Sequence, residues 1–156
     1  MLKYCLMLAA LLQGCGSEPG QAPDYRDSPE LRKEIAAFYA LLNDAGIARP
    51  ATAADLRVIE LDSAVPAPMA AFCQHYRADQ ARWAEVKIKT GLGPMQTKAL
   101  VFHEMTHCLF AAKHWDFSLH IMNAHLPEEQ QLARWWPDLE RDFIKYLTQI
   151  NAGNRI

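Results

Sequence analysis

Apolar residues at helical spacing mark the first folded element of the chain. Between Ser28 and Gly46 they recur at steps of three and four, which predicts an amphipathic helix with one face on a core. Asp27 and Ser28 are residue types that cap helices, and Pro29 suits the first turn. Gly46 ends the pattern. The apolar stripe comprises Leu31, Ile35, Phe38, Leu42 and Ala45.

Strand-like patterns fill the middle of the chain. Leu56–Leu61 is rich in apolar residues, and Trp83–Lys89 alternates large apolar with polar side chains, as a half-buried strand does. Phe72–Tyr76 is a shorter strand candidate. The proline-containing segment 64–68 and the glycine-containing segment 90–94 mark loops between these elements.

Helical patterns return in the second half of the chain. A helix is predicted from Met95 to Ala112, and an irregular stretch comes after it, up to Leu126. Two further helical segments are predicted at Pro127–Trp136 and Pro137–Ile150. This order of elements predicts a small α+β domain, in which a sheet of about three strands packs on a central helix with N- and C-terminal helices around it.

The N-terminus has the pattern of an export signal. A positive charge at Lys3 precedes an apolar run at 4–12, which suits the core of a signal peptide and is too short to span a bilayer. The run leads into Leu-Gln-Gly-Cys at 12–15, which resembles the lipobox of bacterial lipoproteins and would place a lipid on Cys15. The competing interpretation is an ordinary secretory signal with an incidental cysteine.

This signal predicts how the chain is divided and where it resides. We expect a lipoprotein signal peptide at 1–14, a lipidated Cys15 and flexible linker at 15–27, and a folded domain at 28–156. The domain would lie in the cell envelope, on the periplasmic or outer-membrane side, held to the membrane by lipid alone. The sequence leaves open which membrane carries the lipid.

Net charge limits the classes of binding partner, and the cysteine content raises the question of a disulfide. A formal net charge of −2 gives no argument for binding to nucleic acid or to an anionic membrane surface, and we expect a monomer. Export permits disulfides, so Cys73 and Cys108 either form a bridge or remain as two buried thiols. The sequence leaves both states open.

The residues that carry chemistry begin with an H-E-x-x-H motif at 103–107, inside a predicted helix. His103 and His107 stack on one helix face about 6 Å apart along the axis, where both imidazoles can reach one tetrahedral zinc at about 2.0–2.1 Å. Glu104 lies beside them and can reach a metal-bound water without being a ligand.

A catalytic zinc needs a third protein ligand and keeps a fourth position for water. His114 lies seven residues after His107, where the helix is expected to end, and a chain that folds back there can present its ring to the metal. Asp116 and His120 are the rival third ligands. The pattern predicts one zinc ion per chain.

The motif and the residues C-terminal to it resemble the metzincin clan of metallopeptidases. In that clan a third histidine and a methionine-bearing turn come after H-E-x-x-H, and Met122 takes the place of that methionine here. The chain is similar in this respect to very small bacterial and phage metallopeptidases, over residues 83–126. The resemblance implies that Met122 forms an apolar floor under the imidazoles.

The chain also departs from the standard metzincin pattern. Metzincins carry a glycine three residues after the second histidine and the third ligand six residues after it, where this chain has Phe110 and Lys113. Without glycine, the helix must end at another residue type. We expect Lys113 in the left-handed conformation, at a cost of about 1 kcal/mol.

The resemblance implies a membrane-anchored zinc-dependent peptidase, of the endopeptidase kind, that acts on peptides or proteins. Glu104 would be the general base that takes a proton from zinc-activated water, and a peptide would pair with the exposed edge of the strand Trp83–Lys89. The alternative is a zinc-binding but non-catalytic envelope lipoprotein that acts as a binding or scaffold module. In that case a fourth protein ligand, His120 or Asp116, would close the metal site.

Overall fold

The computed structural model describes residues 26–50, 55–78, 81–115 and 119–153. The predicted signal peptide, Cys15 and most of the linker lie outside the described residues, as does Asp116. The described residues form three helices beside a small open sheet of four strands, which confirms the α+β class. None of these helices is both long and apolar enough to cross a membrane.

The sheet comprises β1 (Arg26–Asp27), β2 (Asp55–Asp62), β3 (Ala71–Ala78) and β4 (Ala81–Lys89). Its strand order is β1-β2-β4-β3, with β1, β2 and β4 parallel and β3 antiparallel to β4. The prediction that Trp83–Lys89 offers a free edge is wrong. The β3–β4 hairpin occupies one edge of β4 and the parallel pair with β2 occupies the other, so the edge strands of the sheet are β1 and β3.

The two residues of β1 fall at the end of the predicted linker and attach it to the sheet. The N–H of Ser28 donates to the carbonyl of Ile59 at 2.9 Å, and its hydroxyl accepts from the N–H of Leu61 at 3.0 Å. Ser28 therefore fixes the chain to β2 and makes no side-chain helix cap. A 3-10 turn at Pro29–Leu31 leads into the first helix.

The three helices are α1 (Arg32–Asp44), α2 (Pro94–Phe110) and α3 (Glu129–Asn151). The predicted division of the last helical region at Pro137 is wrong, because α3 continues through it. Pro137 and Ala133 are both exposed, so water can satisfy the Ala133 carbonyl that the proline leaves without a helical partner. One buried stripe spans both halves of the helix: Leu132, Trp136, Leu139, Phe143, Tyr146 and Leu147.

The central element of the core is α2, which contacts β3 and β4 as well as α1 and α3. The rings of Phe38, Phe102 and Phe143, one from each helix, meet with centroid distances of 5.4 to 6.4 Å. Such aromatic contacts bury a large apolar area at one point. A helix buried so completely tolerates polar side chains only where they are paired, so the burial of His103 and Glu104 calls for partners.

The start of α2 is held by the first residue of α3. The carboxylate of Glu129 accepts hydrogen bonds from the N–H groups of Met95 and Gln96, each at 2.9 Å. It satisfies two donors that a helix start leaves free, and its charge complements the helix dipole. A Cβ at Gly93 would collide with this carboxylate, so the close approach requires glycine.

Candidate metal centre

Three histidines converge at the end of α2. His103 and His107 lie one turn apart on the helix, and the chain folds back after the helix to bring His114 to them. One nitrogen from each ring lies within 4.8 Å of the other two. The ring centroids are 4.6 to 5.1 Å apart. The predicted third ligand is therefore brought to the predicted pair.

Two backbone carbonyls fix which nitrogen of each helical histidine faces the centre. The Nδ1 of His103 lies 2.7 Å from the carbonyl oxygen of Ile121, and the Nδ1 of His107 lies 2.7 Å from that of Ala112. A carbonyl oxygen only accepts hydrogen bonds, so each Nδ1 carries the proton. The Nε2 atoms therefore present lone pairs, and they face each other across 2.9 Å.

The electrostatics of the site favour neutral rings. Burial, with smaller contributions from the neighbouring histidines, lowers the pKa of His103 to about 4, while the hydrogen bond to Ile121 opposes the shift. Burial also lowers the pKa of His107. At pH 7 both Nε2 atoms are unprotonated, so no hydrogen bond joins them and their lone pairs repel. A cation placed between them would relieve this repulsion.

The nitrogen positions fit a tetrahedral zinc ion with a small adjustment. Two zinc–nitrogen bonds of about 2.0–2.1 Å at the tetrahedral angle place the nitrogens about 3.3–3.4 Å apart. The His103 and His107 Nε2 atoms, 2.9 Å apart, would separate by about 0.4 Å to accept the ion. Their Nδ1–H groups already donate to carbonyls, as ligating histidines usually do.

The turn after α2 brings His114 into place. Ala111 adopts the left-handed conformation, with φ of 50° and ψ of 34°, so the prediction of Lys113 at this position is wrong. The left-handed residue lies two positions before the predicted one, because the chain must turn there for the carbonyl of Ala112 to accept the hydrogen bond from His107. The Tyr146 hydroxyl on α3 then donates to the carbonyl of Lys113 at 2.6 Å, which holds the residue just before His114.

The segment around Met122 supports the first histidine. The carbonyl of Ile121 receives the His103 hydrogen bond, and the N–H of Trp115 donates to the carbonyl of Met122 at 2.8 Å. The side chain of Met122 is fully buried in the core. This segment therefore links the loop that carries His114 to the helix that carries His103.

His120, a rival third ligand, is held away from the three-histidine group. Its Nδ1 accepts a hydrogen bond from the N–H of Met122 at 3.0 Å, and its ring packs against Trp115 and Tyr146. A second hydrogen bond joins the His120 ring to the backbone of Asp142 on α3. Because backbone groups of Met122 and Asp142 engage its ring, His120 is not a third ligand.

Glu104 is buried beside the ligands, with 7% of its surface exposed. Burial raises the pKa of its carboxyl group to about 7, and a hydrogen bond from the backbone N–H of Cys73 opposes the shift. The positive charge of a metal ion at the histidines would favour the ionised carboxylate. The side chain of Glu104 therefore extends from α2 to the edge strand β3.

A disulfide joins Cys73 on β3 to Cys108 on α2, with the two Cα atoms 5.7 Å apart. Of the two states that the sequence leaves open, the structure has the bridge. Cys108 directly follows His107, so the bond fixes the edge strand to the helix beside the three histidines.

A cleft of about 850 Å³ contains the site. The three histidines and Glu104 lie on one wall, and the first half of β3 forms another. The predicted ligands and the predicted base thus share one solvent-accessible space. The groups that sequence reasoning missed are backbone carbonyls, which carry no side-chain signal, and Tyr146, whose spacing is that of an ordinary core residue.

Comparison with known proteins identified no matching family model, no matching curated protein and no matching solved structure. The functional argument accordingly depends on the residues of the site itself.

Replacement of His114 tests the metal centre. His114→Ala removes the ligand supplied by the loop, and we expect zinc affinity to fall at least roughly tenfold to a hundredfold. Because His114 is exposed, the fold should be retained. Competition with a chromogenic zinc chelator measures the affinity, and far-ultraviolet circular dichroism checks the fold.

The matched control is His125→Ala, an exposed histidine that lines the same cleft outside the three-histidine group. We expect its zinc affinity to equal that of the unaltered chain. If His114→Ala also bound zinc as tightly as the unaltered chain, His114 would not be a ligand.

Proposed function

We propose that the chain is a zinc-dependent peptidase, held to a membrane of the cell envelope through a lipid on Cys15. The observation that carries the proposal is the convergence of three imidazoles: the Nε2 atoms of His103 and His107 lie 2.9 Å apart, a nitrogen of His114 lies within 4.8 Å, and Glu104 is buried beside them. The antiparallel edge strand next to the H-E-x-x-H helix supports a metzincin-like domain.

Three protein ligands favour a catalytic role over a structural one. A tetrahedral zinc ion with three protein ligands keeps a fourth position for water or substrate, whereas structural sites are closed by a fourth protein ligand. Among the described residues, His103, His107 and His114 make up the group. His120, which could have closed the site, is engaged by Met122 and the backbone of Asp142.

The side chains can then divide the chemistry of peptide hydrolysis. A zinc ion bound by the three histidines would supply an acidified water and polarise the scissile carbonyl. A carboxylate oxygen of Glu104 takes the proton from the attacking water and passes it to the departing amine. The carbonyls of Ile121 and Ala112 keep the imidazoles oriented, and Met122 forms part of the apolar support beneath them.

The free edge of β3 can hold an extended peptide across the site. The N–H of Lys89 donates to the carbonyl of Ala70 at 2.8 Å, so the backbone groups of Ala70 point toward β4. Backbone groups alternate along an antiparallel strand, so those of Ala71, Cys73 and His75 point to the free edge. The N–H of Cys73 already donates to Glu104 there, so a peptide would pair with the other backbone groups of these residues. These residues line the cleft, and a peptide that paired with them would run past Glu104.

The first test replaces the proposed general base. Glu104→Gln keeps the size of the side chain and removes its ability to accept a proton, so we expect hydrolysis of a fluorogenic peptide library to fall roughly 10²- to 10⁴-fold. Zinc content, measured by atomic emission, should stay at that of the unaltered chain.

The control for this test is Glu30→Gln, an exposed carboxylate in the 3-10 turn before α1. It should leave both activity and zinc content unchanged. A Glu104→Gln protein that cleaved peptides as fast as the unaltered chain would refute the mechanism. Zinc-loaded chain that cut nothing in the library would favour the binding or scaffold alternative.

A second test addresses the edge of β3. In a peptide that the protein cleaves, single N-methylation of successive amides should raise KM at alternate positions only, because every second N–H faces the strand. Each lost backbone hydrogen bond of about 0.5–1.5 kcal/mol corresponds to an increase of about 2- to 12-fold. Uniform effects, or none, would show that the peptide does not add to β3 as a strand.

The proposed anchor is tested by Cys15→Ser in the producing bacterium. We expect the unaltered chain to incorporate a labelled fatty acid and to fractionate with membranes, whereas Cys15→Ser should lose the label and enter the soluble fraction. Cys5→Ser, a cysteine within the apolar run, is the matched control and should keep the label. Label retained on Cys15→Ser would overturn the lipoprotein assignment.

A further inference from the structure

A second group of metal-ligand side chains lies at the disulfide, apart from the three histidines. Cys73 on β3 and Cys108 on α2 supply two sulfurs, and His75 supplies a nitrogen. The three candidate ligand atoms lie within 4.8 Å of one another. Cys108 is buried, Cys73 is half-buried and His75 is exposed, so the group extends from the core to the cleft.

The position of His75 follows from strand geometry. Side chains alternate between the two faces of a sheet, so residues 73 and 75 share the face that packs on α2. The Nε2 of His75 consequently lies 3.6 Å from the Sγ of Cys73. A tetrahedral zinc ion with a sulfur at about 2.3 Å and a nitrogen at about 2.0–2.1 Å holds those two atoms about 3.6 Å apart. His75 already has the spacing that such a site requires.

We propose that reduction of the Cys73–Cys108 disulfide creates a second zinc site, formed by Cys73, Cys108 and His75. The donor set of two thiolates and one imidazole is one that zinc prefers, and two thiolates balance the charge of the ion. The exposed side of the group leaves a fourth position for water. This inference does not depend on the proposed peptidase activity.

The chemistry of the conversion balances with a phosphine as reductant. The phosphine gives two electrons to the disulfide and becomes the phosphine oxide with an oxygen atom from water, while the two sulfurs leave as thiols. Zinc then replaces both thiol protons, which pass to the buffer. Because the ion joins Cys73 to Cys108 as the disulfide does, β3 stays fixed to α2 in both states.

Cobalt(II) titration of the purified chain carrying Cys5→Ser and Cys15→Ser, in which Cys73 and Cys108 are the cysteines that remain, tests the proposal before and after treatment with the phosphine. Cobalt occupies zinc sites, and a thiolate ligand gives a sulfur-to-metal charge-transfer absorption that a site of three histidines cannot produce. We expect one equivalent without this absorption for the oxidised chain. For the reduced chain we expect two equivalents, of which one carries the absorption.

Variants assign the ligands of the second site. His75→Ala should weaken binding of the sulfur-ligated cobalt roughly tenfold or more in the reduced chain, since even losing a residue that only orients a ligand costs about that much. Gln74→Ala, the exposed neighbour on the opposite face of β3, is the matched control and should bind as the unaltered chain does. Alkylation of both thiols after reduction should abolish the absorption without the need for a cysteine variant.

The proposal is overturned if the reduced chain shows no sulfur-ligated cobalt, or if His75→Ala binds it as tightly as Gln74→Ala. If instead the three histidines bind no metal, the result is different. The cobalt equivalent without the charge-transfer absorption would be missing, and the sulfur-ligated equivalent would remain.

Discussion

The two Nδ1–H hydrogen bonds of His103 and His107 are the interaction on which the rest of the site depends. They fix both imidazoles with their Nε2 lone pairs facing each other at 2.9 Å, an arrangement that a cation would stabilise. Neither acceptor lies within α2: one is the carbonyl of Ala112 and the other that of Ile121. Two loop segments must therefore be held in place, and the bond from Tyr146 to Lys113 together with the bond between Trp115 and Met122 does this.

The part of the site that depends on local geometry could be predicted from the sequence. A spacing of four residues within a helix places His103 and His107 on one face whatever surrounds them, and the short distance to His114 allows the chain to return. The absence of a glycine at the turn leads to a prediction of Lys113 as the left-handed residue, whereas Ala111 adopts that conformation. Which residue becomes left-handed depends on where the Ala112 carbonyl must lie, and no side chain in the sequence indicates that position.

The errors in the fold have a common origin in contacts between distant parts of the chain. Alternation identifies Trp83–Lys89 as a strand, but it cannot specify which strands lie on either side, and the parallel pair with β2 gives β4 a central position. A two-residue strand such as β1 has no periodicity to detect. Pro137 indicates a break, yet the buried stripe of α3 continues across it because the group left unpaired faces solvent.

The central helix is held at three points, and this restricts how the candidate metal centre could adjust to an ion. Glu129 binds its first turn, the bond from Cys108 to Cys73 ties its last part to β3, and Ala112 closes its end on His107. A shift of the whole helix would not change the distance between two side chains that the helix carries, so the separation of about 0.4 Å that zinc would require must come from side-chain rotation. Bonds at Lys113 and Trp115 hold the backbone on either side of His114. Its ring is exposed and lies outside the helix, so its side chain is the ligand with most room to follow. The helical pair of histidines is therefore fixed in position, and the third histidine is the one that can adjust its position to an ion.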